Sequence, residues 1–233
     1  NMPPSPDHFS RCSDINRRGP ALVSSLPPVR GVNPRKVREL LSKESCEVLD
    51  TRRYDAFGSV HIPKSWNIDG EMNFSTFSGW VIPPDRDILL TVHRQEEIAK
   101  LIPMLHRVGI DRIIGYAEGG VTGWALAGNE LDHVQTITVH ELHGLLKSDK
   151  DLVVLDVRTG GEYDGYHIPG SVNIHWPDLR TRCSELSREH RIAVLCATGS
   201  RSSMACSILK RNGFSHMLNV AGGYTGWIAG GFQ

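Results

Sequence analysis

Short runs of apolar residues alternate along the chain with segments in which apolar positions return every three or four residues, a pattern that predicts strands and helices in turn. Leu152-Val-Val-Leu155 and Ile192-Ala-Val-Leu195 are continuous apolar runs of strand length, the kind buried on both faces of a parallel sheet. Thr138 and Glu141 form a capping box ahead of Leu142, Leu145 and Leu146. Residues 202–212 predict a further helix, apolar at Met204, Ala205, Ile208 and Leu209, with Lys210-Arg211 in its last turn and Gly213 as its stop. Upstream, Asn33 as N-cap with Pro34 at the first helical position opens another helix. Ile98, Leu101, Ile102 and Leu105 share one face of a fourth. Strands and helices alternating at this spacing predict an α/β fold.

The pattern occurs twice. Glu47-Val-Leu-Asp-Thr-Arg52 echoes Val153-Val-Leu-Asp-Val-Arg158, with Asp50 and Asp156 separated by 106 residues. His61-Ile-Pro63 and His167-Ile-Pro169 keep that offset, and Gly119-Gly120 with Trp124 map to Gly222-Gly223 with Trp227 at 103. Ordered matches with so small a drift indicate a duplication. The expected organisation is two tandem domains, 31–129 and 130–233, each a parallel sheet flanked by helices. Residues 1–30 belong to neither copy. They hold Pro3, Pro4, Pro6, Pro20, Pro27 and Pro28, which predict an extended segment lying over the first copy. The polar stretch 129–135 is the expected linker.

Composition narrows the function classes. Lys+Arg and Asp+Glu both number 26, so a nucleic acid or an anionic membrane surface is not the expected partner. Five cysteines, an odd number with no CxxC spacing, argue against a disulfide framework or a structural zinc site. No apolar run is long enough to cross a bilayer and no signal-peptide core is present, so a reducing, cytoplasmic setting is expected. Asn1 ahead of Met2 reads as an added residue.

The segment expected to carry chemistry is Cys196-Ala197-Thr198-Gly199-Ser200-Arg201-Ser202, directly after a predicted buried strand and before a helix. Ligands of open parallel sheets bind at the carboxyl ends of the strands. First-turn helix N–H groups lack intrahelical acceptors and favour an anion, here the thiolate itself. Gly199 lets the backbone curl toward the sulfur, and Arg201 adds a fixed positive charge. Together these favour the nucleophilic thiolate.

This loop, the Leu155-Asp-Val-Arg158 strand end, the His167-Ile-Pro-Gly170 turn and Ala221-Gly-Gly223 with Trp227 resemble the rhodanese-like sulfurtransferase family over residues 30–233. The resemblance implies that Cys196 accepts a sulfane sulfur from a small donor, becomes a persulfide, and passes the sulfur to a thiol or cyanide acceptor. Ala197, Thr198, Gly199, Ser200, Arg201 and Ser202 would bind the charged donor. No metal or organic cofactor is implied. The N-terminal Pro3-Pro-Ser-Pro-Asp-His-Phe-Ser-Arg, with Ile15-Asn16 and Gly19-Pro20, resembles the segment joining a metallo-β-lactamase-like domain to rhodanese repeats, which implies such a domain upstream in the parent protein.

The first copy departs from the pattern. Val92 stands where Cys196 does, and Glu96 and Glu97 stand at Ser200 and Arg201, so this copy is expected not to transfer sulfur. The second copy is expected to carry the activity by itself. Asp156 with Arg158 reads as a structural ion pair rather than a substrate site, because Asp50 and Arg52 repeat it beside Val92. His61 and His167 read as turn or packing residues, and Cys206 as core rather than a resolving thiol. Two other functions compete. One is a cysteine-dependent phosphatase or arsenate reductase, whose loop places five residues between Cys and Arg where this chain has four. The other is a non-catalytic regulatory module.

Overall fold

The structure, a computed structural model, describes residues 6–232. In the first repeat the elements run α1 (His8–Arg18), β1 (Gly31–Val32), α2 (Pro34–Ser42), β2 (Cys46–Asp50), α3 (Tyr54–Ser59), β3 (Trp66–Asn67), α4 (Phe74–Val81), β4 (Asp87–Thr91), α5 (Ile98–His106), β5 (Ile113–Ala117) and α6 (Gly120–Leu126). In the second they run β6 (Gln135–Ile137), α7 (Val139–Ser148), β7 (Val153–Asp156), α8 (Gly160–Gly165), β8 (Val172–Asn173), α9 (Leu179–Arg182), β9 (Ile192–Leu195), α10 (Ser200–Arg211), β10 (Met217–Val220) and α11 (Gly223–Ala229). Each repeat builds a five-stranded parallel sheet, in the orders β1-β5-β4-β2-β3 and β6-β10-β9-β7-β8. The expected α/β class is therefore the observed one.

The sequence signals form the elements for the expected reasons. The Asn33 side chain accepts from the Lys36 N–H at the start of α2, and the Thr138–Glu141 capping box opens α7. All four residues of β9 are buried, as a central parallel strand requires. Ile137, Leu142, Val154, Leu195, Val220 and Trp227 belong to one apolar cluster around this sheet. Residues 202–209 of α10 are buried without interruption, so this helix is covered on every side. Among the described residues no helix is long and apolar enough to cross a membrane.

One expectation needs correction. Within the segment 1–30, residues 8–18 form α1 rather than extended chain, while residues 1–5 lie outside the described residues. The prolines flank α1 and none falls inside it, and His8, Arg11, Cys12 and Ile15 return at helical spacing to give it one covered face. Arg11 Nη2 donates to Val108 O at 2.7 Å, which fastens α1 through a backbone carbonyl. The compact units do not follow the repeats: among the described residues they comprise 6–52 with 68–131, and 53–67 with 132–232, so Arg53–Asn67 of the first repeat lie in the second unit. Within that unit Ser203 Oγ, on α10, donates to Asn67 Oδ1 at 2.7 Å, and the Arg211 guanidinium lies 4.3 Å from the Trp66 ring centroid.

Candidate active site

Three neighbouring strands of the second sheet, β10, β9 and β7, end on the same edge, and each delivers part of one site. Cys196 follows β9 and is 1% exposed. The loop proper is Ala197-Thr198-Gly199, since α10 already begins at Ser200 with Gly199 as its N-cap at φ 119°. Ser200, Arg201 and Ser202 thus stand in the first turn of the helix, which begins two residues earlier than the sequence pattern predicts.

The segment after β10 turns the loop carbonyls outward. Tyr224 N–H donates to Cys196 O at 2.7 Å, Thr225 N–H to Ala197 O at 3.0 Å, and Gly222 N–H to Thr198 O at 3.1 Å. Only glycine permits this approach at 223: a Cβ there would stand 2.3 Å from Cys196 O, and the residue has φ 53°. With its carbonyls occupied, the loop turns an N–H toward the sulfur. Gly199 N–H reaches Cys196 Sγ at 3.1 Å. Ser202 Oγ lies 3.4 Å from Sγ and 2.6 Å from Asn219 Oδ1, and Asn219 Nδ2 donates to Gly199 O at 3.2 Å. Gly199 O lies 3.0 Å from the same hydroxyl, so the single Ser202 proton has three competing acceptors, the shortest contact being to Asn219. A thiolate at Sγ would compete for it with a full charge.

Arg201 does not stand alone. Its Nη1 and Nη2 donate to Glu162 Oε2 and Oε1, both at 2.7 Å, a two-pronged fork. Glu162 is also the third residue of α8, where Oε2 accepts from Thr159 N–H at 3.0 Å and Thr159 Oγ1 at 2.9 Å. The Arg201 guanidinium, ahead of the Thr159 donors, holds the Glu162 carboxyl down to about 2, and Glu162 in turn raises Arg201. His175, beyond β8, lies in the field of both groups, and burial pushes it below the ordinary imidazole value. Arg158 is forked on Asp156, with Nη2–Oδ2 at 2.6 Å, and its guanidinium lies 4.2 Å from the Tyr224 ring centroid. From residues 53–67 comes Tyr54, whose ring lies 3.4 Å from where a Cβ on Gly199 would stand.

The other candidates resolve by comparing the repeats. Arg52 grips Asp50 as Arg158 grips Asp156, with Nη2–Oδ2 again at 2.6 Å, although Val92 stands beside it in place of a nucleophile. His61 and His167 each direct Nδ1 at the carbonyl four residues back and stack on an aromatic ring, Phe57 at 3.9 Å and Tyr163 at 4.0 Å. Cys206 is fully buried, and burial pushes its thiol well up, away from the reactive form. In the first unit a cavity of about 290 Å³ opens at Val92, with Arg52, His93, Gln95, Tyr116 and Thr122 around it. Glu162, His175, Asn219 and Tyr54 were not foreseen as site residues. Only Glu162 had a local signal, the Thr159-x-x-Glu162 capping pattern, and it points to a helix start rather than to Arg201.

The Rhodanese-like domain family matches residues 33–127 and 138–230. The chain belongs to the rhodanese-like family. A putative sulfur carrier protein, YrkF of Bacillus subtilis (strain 168), is 35% identical over 94 residues, 40% of this chain and 51% of that protein. The protein HIGH ARSENIC CONTENT 1, mitochondrial, of Arabidopsis thaliana is 29% identical over 114 residues, 44% of this chain and 66% of that protein. A sulfurtransferase of Allochromatium vinosum is 29% identical over 98 residues, 42% of this chain and 92% of its own length. This rhodanese-like chain thus spans about half of the first relative and just under two thirds of the second. Among solved structures, a thiosulfate sulfurtransferase from Pseudomonas aeruginosa is 23% identical over 88% of this chain and 43% of its own, with a TM-score of 0.40. The Allochromatium vinosum relative and the Pseudomonas aeruginosa structure are named as sulfurtransferases.

Proposed function

We propose that the second repeat takes a sulfane sulfur onto Cys196 as a persulfide and passes it to a thiol or cyanide acceptor. The observation that carries this reading is the Gly199 N–H at 3.1 Å from a cysteine sulfur at the end of a central strand. A donor N–H aimed at sulfur stabilises an anion there, both the thiolate and the terminal sulfur of a persulfide. The reaction is a displacement at sulfur. Cys196 Sγ attacks the outer sulfur of the donor, a new S–S bond forms, and the old bond leaves with its electron pair on sulfite or a thiolate. The acceptor then attacks the same outer sulfur and Cys196 Sγ leaves.

The phosphatase reading is disfavoured by the loop itself. Arg201, the residue that would hold a tetrahedral dianion, is forked on Glu162. The first repeat, with Val92 at the nucleophile position, has no group for the attacking step and serves another role. The resemblance of residues 3–20 to a domain junction supports an upstream metallo-β-lactamase-like domain in the parent protein, in a reducing compartment such as the cytoplasm. The parent gene decides that point: a native start at Met2 rules it out. For Cys196 the test is intact mass after treatment with a sulfane donor. One added sulfur is expected in the wild-type chain, located at Cys196 by peptide mapping and missing from Cys196→Ser. An undiminished yield in that variant would overturn the assignment.

A further inference from the structure

Two guanidinium groups stand at the Cys196 site, and a carboxylate already matches each. Asp156 is wholly buried beneath Arg158, and Glu162 covers the two outer nitrogens of Arg201. Glu162 is fixed from two directions, because the Oε2 that meets Arg201 also closes the capping box of α8 through Thr159. One carboxylate therefore joins the start of α8 to the start of α10. The side chain of Arg201 retains 20% exposure and that of Glu162 36%, so both charges remain open to solvent.

We infer that Glu162 sets the donor class of this site: by occupying Arg201 it selects an organic persulfide, which carries at most one negative charge, over the thiosulfate dianion. This inference rests on the sulfurtransferase reading above. A dianion approaching Arg201 meets Glu162 at nearly the same distance, so attraction and repulsion largely cancel. To gain the guanidinium it must displace the carboxylate, breaking two charge-assisted hydrogen bonds and half of a capping box. A persulfide brings at most one charge and reacts as neutral R–S–SH, so it loses less by the absence of a free cation. Selection here works by an element set against the wrong substrate, as specificity commonly does.

Both steps balance without a co-reactant. With a persulfide, Cys196 thiolate attacks the terminal sulfur of R–S–SH, the S–S bond of the donor breaks, and R–S⁻ departs with its electron pair, leaving Cys196 as S–SH. With thiosulfate the same attack releases sulfite and leaves Cys196 as S–S⁻. The donors differ in the charge brought to Arg201 and Glu162, not in the bonds exchanged.

The test compares wild-type chain and Glu162→Gln with two donors, mercaptoethanol persulfide and thiosulfate, using one acceptor. Glutamine at this position can still close the capping box, so the start of α8 is retained. The readout is the ratio of kcat/KM for thiosulfate to that for the persulfide, from which any change common to both donors cancels. The ratio is expected to rise about tenfold in the variant, equivalent to ~1.4 kcal/mol, through a lower KM for thiosulfate. An unmoved or falling ratio overturns the inference, since a purely structural role for Glu162 would change both donors alike. A second measurement needs no variant. Raising salt from about 0.05 to 0.5 M should leave wild-type kcat/KM for thiosulfate nearly level, because the pair offers little net charge to screen. A steep fall overturns the inference. If neither donor places sulfur on wild-type Cys196, the sulfurtransferase reading itself fails, an outcome distinct from a wrong donor preference.

Discussion

Glu162 accepts from both Arg201 and Thr159, and its ionisation should be visible in acid. Arg201 and Thr159 hold it down to about 2, below the ordinary carboxylate value, so the folded chain binds its proton more weakly than the unfolded chain does. A group depressed in this way contributes stability that is complete above the unfolded value and is lost as pH falls through the folded one. The window here runs from 4.5 down to about 2. Because Glu162 is about one-third exposed, solvent screening keeps the contribution modest. Denaturation midpoints of wild type and Glu162→Gln, measured from neutral pH down into this window, should converge as the medium becomes more acid. A constant gap between them would show that ionisation of Glu162 does not support the fold. His175 acts in the opposite sense to a paired histidine. Burial lowers its value, so protonation below 6.5 favours the unfolded chain.

Among the elements, the start of α11 has most control over the Cys196 loop. Its N–H groups take the Cys196 and Ala197 carbonyls, and Gly223 is the residue that lets them approach. In Gly223→Ala the new methyl would meet Cys196 O at 2.3 Å and Ala197 C at 2.6 Å, both backbone atoms that cannot swing aside. Left-handed backbone at an alanine costs roughly 1–2 kcal/mol before any clash is counted. The variant should therefore lose at least that much in urea denaturation and also lose sulfur loading at Cys196. Gly222→Ala is the control, because its methyl would meet nothing closer than Gly226 Cα at 3.6 Å. Equal behaviour of the two variants would refute the role given to α11. The same elements explain what was readable beforehand. The β9 run, the glycine after Cys196 and the capping boxes are local, each visible within a few residues of sequence. The Arg201–Glu162 fork spans 39 residues, and nothing near either residue announces the other. Helix α1 was missed because prolines counted over the whole of 1–30 hide a proline-free stretch between them.

For the whole molecule, the question is what the repeat without a nucleophile contributes. Residues 53–67 lie in the same compact unit as 132–233, and α10, the helix that follows the Cys196 loop, depends on them. Ser203 and Asn67 are 1% and 2% exposed and bond to each other at 2.7 Å. Trp66 is buried with the Arg211 guanidinium over its ring, and the Tyr54 ring lies beside Gly199. A fragment of residues 130–233 has none of these partners. It would uncover a face of α10 and leave the Ser203 hydroxyl without its acceptor, a loss of ~1–3 kcal/mol where such a group stays buried. Removing the Trp66 ring exposes apolar surface in addition. The second repeat is thus not expected to stand alone, contrary to what the sequence pattern suggests. Expressed by itself, 130–233 should melt well below the full chain or aggregate, with little sulfur loading at Cys196. Asn67→Ala in the full chain should cost about 1–3 kcal/mol while leaving a folded protein in which the effect can be measured. A fragment that folds with the midpoint of the full chain and loads sulfur at the same rate would show that residues 53–67 are dispensable, and the first repeat would then need another reason to be there.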